Sequence, residues 1–155
     1  MAMNPTDTAL PLRDFPGLAE LQDLVIPPSA SSQPAVDALK DGRLTLQCCA
    51  NCHRHRLPVA PVCPYCGSSA FDWKASTGQG VVVSWVRYPR SYLPAFEALI
   101  PYVVLCVELT EGPRLFGRLV GKDVEPRIGM PVSAVIERWT DGGHAVAFAA
   151  TDGAA

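Results

Sequence analysis

The sequence is short of charge, of aromatic residues and of long apolar runs. Only 18% of its 155 residues are Asp, Glu, Lys or Arg, below the usual quarter. Thirteen basic residues against 15 acidic ones leave a formal net charge of −2. A dedicated duplex-DNA binder carries a basic excess, and none is present. With 48% hydrophobic residues, the chain is also not an acidic disordered polymer, which needs low hydrophobicity and high net charge. The most apolar stretch, Ala98–Val107, is broken by Pro101 and bounded by Glu97 and Glu108, so it is too short to span a bilayer. The N-terminal MAMNPTDTALPLRDF has no basic n-region and no apolar core, and does not read as a signal peptide. The expectation is a soluble protein of a reducing cytoplasm.

Catalytic signatures are missing too. There is no G-x-S-x-G, P-loop, G-x-G-x-x-G or H-E-x-x-H. The three His (His53, His55 and His144) assemble no acid–base pair by sequence. An autonomous enzyme is therefore not the first expectation.

Punctuation is abundant: 15 Pro and 12 Gly predict many turns and short strands. Three parts follow. Residues 1–42 form an N-terminal helical arm. Within it, residues 16–25 place Leu18, Leu21, Leu24 and Val25 on one helical face, and a second helix runs from about Gln33 to Asp41, with Ser32 as N-cap and Gly42 as stop. Either helix is too short to stand alone in water and must pack on something. Residues 43–75 hold five of the six Cys. Residues 76–155 read as five strands: 80–88, 102–110, 114–121, 132–139 and 144–151, with one long loop after the first. That pattern suits a small closed antiparallel barrel, of which the five-stranded OB-fold is the commonest; a small sandwich is the alternative.

The key constellation is Cys49-x2-Cys52 followed after ten residues by Cys63-x2-Cys66. Each C-x2-C lets two thiolates from one tight turn reach the same ion, and two such knuckles supply the tetrahedral four-sulfur set that zinc favours. Four protein thiolates leave no open position, so the Zn²⁺ is expected to be structural, one per chain. Disulfides or free thiols are the weaker alternative in a reducing compartment. Cys48, His53 and His55 lie close enough to compete as ligands but are not needed. Arg54, His55 and Arg56 offset the thiolate charge or, as a minority reading, contact a phosphate. Cys106, mid-strand, reads as a buried core thiol rather than a nucleophile.

The run LTLQCCANCHRHRLPVAPVCPYCGS, followed by GQGVVVSW, LPAF, IPYVVLCVELTEGPRLFGRLVG and RIGMPVSAVIE, resembles a zinc-ribbon/OB-fold family long catalogued as a domain of unknown function. Its members look like accessory subunits of thiolase-like enzymes. The resemblance covers about residues 33–150. It implies a mainly β chain with short N-terminal helices, a rubredoxin-like zinc ribbon and a C-terminal OB-fold. It also implies a hetero-oligomer, of α2β2 type, with a thiolase-like catalytic subunit. Such complexes carry out acyl-CoA condensation, acyl transfer or retro-aldol cleavage of steroid side-chain CoA thioesters. The catalytic residues mostly belong to the thiolase-like partner, none being assigned in this chain, which is a non-catalytic or co-catalytic subunit that binds or shields the CoA thioester. The doubled Cys48-Cys49 and His53, where a Gly is usual, are small departures in the first knuckle.

The loop after the first strand supplies the expected CoA-facing residues, Arg87, Tyr88, Arg90, Tyr92 and Phe96. The alternative is that Leu93, Phe96 and Leu99 only cap the barrel end. A different class, a single-strand nucleic-acid binder, would use Trp85, Tyr88, Phe116 and Trp139 as stacking platforms. However, residues 67–155 carry 8 Lys/Arg against 9 Asp/Glu, with no basic run to track a backbone.

Overall fold

The computed structural model describes residues 9–15, 28–92, 94–121, 123–139 and 142–151. The helix expected over 16–25 lies outside them. The second expected helix is present as α1 (Gln33–Lys40). Pro34 sits in its first turn, where a missing N–H costs nothing. The Ser32 side chain makes no capping bond to it. Gly42, at φ 74°, closes the other end. The Gly42 N–H donates to the Leu39 carbonyl and the Arg43 N–H to that of Ala38, the paired bonds of a Schellman stop.

The ribbon sheet has the order β3-β2-β4, from β2 (Thr45–Cys49), β3 (His55–Arg56) and β4 (Phe71–Ala75). The strand after the first knuckle is only two residues long, because Pro58, with no N–H, cannot continue the ladder. β4 was not anticipated: FDWKA alternates too briefly to read as a strand alone, yet it pairs with all five residues of β2.

The five barrel strands are β5 (Gln79–Tyr88), β6 (Tyr102–Leu109), β7 (Arg114–Val120), β8 (Pro131–Trp139) and β9 (His144–Ala150). Neighbours run β8-β5-β6-β7-β9, and β8 pairs again with β9, so the sheet closes. This is the OB-fold expected from strand count and spacing. One rung departs from an all-antiparallel barrel: β7 and β9 run parallel, Arg118 opposite Ala147 through Val120 opposite Ala149. A strand missed in the sequence, β1 (Leu12–Phe15), adds in parallel to β8. Part of the N-terminal arm is thus built into the barrel wall.

Inward residues alternate along each strand, as the pleat requires. Val82, Leu105, Val107, Val132, Ile136 and Phe148 are fully buried in one core. Leu44 and Leu46 of the ribbon join that same core, and Leu39 of α1 packs against it. Gly80 lets two strands approach closely, since a Cβ there would lie 2.5 Å from the Glu108 carbonyl oxygen. No helix among the described residues is long and apolar enough to cross a membrane.

Candidate functional site

Two knuckles hold the four cysteines. In the first, the His53 N–H donates to the Cys49 carbonyl (2.9 Å) and the Cys49 N–H to Arg54 (3.0 Å). In the second, the Gly67 N–H donates to Cys63 (2.9 Å) and the Cys63 N–H to Ser68 (2.8 Å). The two turns are local copies. The residue after the second Cys is left-handed in both, His53 at φ 59° and Gly67 at φ 73°. The His that departs from the usual Gly therefore adopts the same backbone shape, and the first knuckle keeps its geometry.

This arrangement brings the four sulfurs within 4.8 Å of one another. Cys49 and Cys66 Sγ are 3.6 Å apart, as are Cys52 and Cys63. A tetrahedral ion with Zn–S bonds of about 2.3 Å needs sulfur separations of about 3.8 Å, whereas a disulfide needs about 2.0 Å. The donor set fits zinc and does not fit two disulfides. As thiols, Cys49, Cys52 and Cys63 differ. The Cys52 backbone N–H, with that of Asn51, holds Cys49 down at about 6 against the opposing effect of burial. At Cys52 the Arg54 backbone N–H favours the thiolate, but burial and the neighbouring thiols outweigh it and push the group up to about 11. Burial opposes ionisation of Cys63, but the N–H groups of Tyr65 and Cys66 prevail and leave it lowered. A divalent cation bound by all four would hold them as thiolates. Zinc held by Cys49, Cys52, Cys63 and Cys66 would cross-link two turns and supply folding energy.

The other candidates fall outside the cluster. Cys48 is buried on β2 with its Sγ 3.5 Å from the His53 carbonyl. Cys106 is buried mid-strand. Among the described residues no other group of His, Cys, Asp or Glu could hold an ion.

The loop residues divide. Tyr88 stacks on Tyr102 (centroids 4.8 Å, 12° between planes), and Phe96 leans on the same ring at 5.5 Å. Burial, with the neighbouring Tyr88 and Tyr92, raises the Tyr102 phenol above its ordinary value. Phe96 and Leu99, on a short 3-10 helix (Pro94–Leu99), also pack with Phe15 and Trp139, so they do cap this end of the barrel. Tyr92 is 77% exposed and Arg90 is exposed. Arg87 pairs with Glu125 at 2.6 Å and lines a cleft of about 290 Å³ with Pro101, Tyr102, Leu119 and Val124. Arg118, also in that cleft, pairs with the buried Glu137. This pair was not anticipated. Its members lie on different strands 19 residues apart, and no local pattern marks them. Of the aromatics suited to base stacking, Tyr88 and Trp139 are packed, while Trp85 and Phe116 are exposed.

Comparison with known proteins matches this architecture segment by segment. Residues 36–72 match the family model of the ChsH2 rubredoxin-like zinc ribbon domain, and residues 73–137 match that of the ChsH2 C-terminal OB-fold domain. A DUF35 domain-containing scaffold protein of Methanocaldococcus jannaschii is 33% identical over 100 residues, 61% of this chain and 68% of the relative. A solved chain described as Ltp2-ChsH2(DUF35) aldolase is 36% identical, with a TM-score of 0.74 over 81% of this chain and 98% of that one. The chain belongs to the ChsH2/DUF35 family. Another relative of this family member is the probable enoyl-CoA hydratase alpha subunit of Thermomonospora curvata, 46% identical over 97 residues. Those residues are 62% of this chain but only 30% of the relative, so the chain spans less than a third of that protein's length.

Proposed function

We propose that this ChsH2/DUF35 chain is the small, non-catalytic subunit of a thiolase-like acyltransferase or aldolase complex acting on CoA thioesters in the cytoplasm. The observation that carries this reading is the match, over 98% of its length, to the chain described as Ltp2-ChsH2(DUF35) aldolase. The internal chemistry supports it. A four-thiolate site leaves no coordination position for substrate. Zinc at Cys49, Cys52, Cys63 and Cys66 fixes the ribbon. The loop carrying Tyr88, Arg90, Tyr92 and Phe96 faces the acyl-CoA of the assembled complex. Tyr88 and Phe96 are set in place by the Tyr102 ring, and Tyr92 and Arg90 are left exposed to reach it. Arg87 is the weaker candidate for a phosphate contact, because Glu125 already neutralises it; Arg90 has no carboxylate partner among the described residues.

Tyr92→Ala tests the loop. Its side chain is mostly exposed, so folding and zinc content stay unchanged. In the assembled complex kcat/KM for acyl-CoA falls about fivefold, roughly 1 kcal/mol of transition-state stabilisation. Unchanged turnover by Tyr92→Ala and Arg90→Ala together would remove the loop from the acyl-CoA site.

A further inference from the structure

At the other end of β6 from this loop, a groove of about 660 Å³ runs between the ribbon and the β6–β7 turn. One wall is the stretch from His53 to Pro58 with Tyr65; the other is Glu111–Pro113. Arg54 is exposed, its guanidinium 4.5 Å from the Tyr65 ring centroid. Arg56, in contrast, is only 4% exposed. Its Nε donates to Gln47 Oε1 (2.8 Å) and one terminal nitrogen, Nη2, to the Ala60 carbonyl (3.0 Å), while the other, Nη1, is buried with no partner.

Neither arginine has a carboxylate partner among the described residues, and residues 43–66 contain no acid at all. The groove's carboxylate is Glu111. Its Oε1 is taken by the Thr77 N–H (2.8 Å) and hydroxyl (3.2 Å), and its Oε2 is buried without a partner. A buried guanidinium without a carboxylate partner leaves a positive potential at the floor of the groove, which an anion there would offset. Guanidinium forks match phosphate oxygens, and the volume falls in the range of small-ligand sites.

We propose that this groove binds a small organic phosphate, with Arg54 contacting the phosphate at the rim, Arg56 supplying charge from the floor, and Tyr65, Leu57 and Pro58 receiving the organic part. The site is separate from the loop above and does not depend on it.

The test is titration of the zinc-loaded, isotope-labelled full chain with adenosine 5′-monophosphate, coenzyme A, inorganic phosphate and adenosine, read by amide shifts and calorimetry. Saturable binding of the adenosine monophosphate, absent for adenosine, with shifts confined to His53–Pro58, Tyr65 and Glu111–Pro113, supports the proposal. Coenzyme A binding as tightly at the same amides names a nucleotide-bearing cofactor as the source, and inorganic phosphate binding equally well names free phosphate. Arg54→Glu, at an exposed position, weakens binding tenfold or more with zinc content unchanged; Arg56→Lys, which keeps the charge of the floor, leaves binding within about twofold. Overturning results are adenosine binding equally, an Arg54→Glu effect under twofold, tighter binding of an oligonucleotide through the same amides, or coenzyme A shifts confined to 87–103. The last would leave the proposed function standing and remove only this groove.

Discussion

Cys49→Ser loses its zinc and unfolds the ribbon. Structural zinc in small ribbons and fingers contributes about 10–16 kcal/mol of apparent binding energy, comparable to the whole net stability of a domain, about 5–15 kcal/mol. The ribbon has little else. Its sheet is three short strands, and its buried leucines, Leu44 and Leu46, belong to the barrel core. Loss of the ion therefore reaches the barrel, because displacing these two Leu opens the core from the ribbon side. The expected result is metal content falling from one zinc per chain to near zero, with a lowered thermal midpoint for the entire chain; chelation of the unaltered protein reproduces both. Cys48→Ser and Cys106→Ala keep full zinc, since their sulfurs stand outside the cluster. A Cys49→Ser chain that retains stoichiometric zinc would show that Cys48 or His53 serves as the ligand.

Phe148→Ala destabilises the barrel by about 3–5 kcal/mol, the range for removing a buried aromatic ring. Phe148 is fully buried on β9 and lies over Gly117 of β7, where a Cβ would approach its ring to 2.8 Å and the Val146 carbonyl oxygen to the same distance. The ring fills the space the glycine leaves, at the parallel β7–β9 rung that closes the barrel. Gly117→Val fails for the complementary reason: the Val146 carbonyl is backbone and cannot move aside. Denaturant unfolding of Phe148→Ala should show a reduced midpoint with an unchanged slope. A loss below about 1 kcal/mol would mean that this position is not a closely packed part of the core.

How much of this was readable beforehand follows from the range of each interaction. The cysteine spacing is a local signal, and Cys49, Cys52, Cys63 and Cys66 converge as their two C-x2-C turns dictate. The barrel strands alternate strongly and end at Gly or Pro, so their bounds fell within a residue or two of those observed. β1 and β4 were missed because each is stabilised by a distant partner: Leu12–Phe15 by β8, more than 120 residues away, and Phe71–Ala75 by β2. The parallel β7–β9 rung is a property of closure, which no single strand announces. In the loop, the sequence placed Tyr88 and Phe96 together but could not show that Tyr102 organises both. Nor could it show that Glu125 neutralises Arg87, because that pairing spans 38 residues.

If this chain works as a subunit, it will be found with its partner. The direct measurement is co-expression of the tagged chain with a thiolase-like protein from the same source, followed by affinity purification and mass determination of the complex. The expected result is a stable hetero-oligomer with equal numbers of the two chains, of α2β2 type, with one zinc per small subunit and CoA-thioester turnover that the thiolase-like chain alone lacks. A tagged, zinc-loaded chain that elutes alone, with turnover by the thiolase-like protein unaffected by its presence, would contradict it.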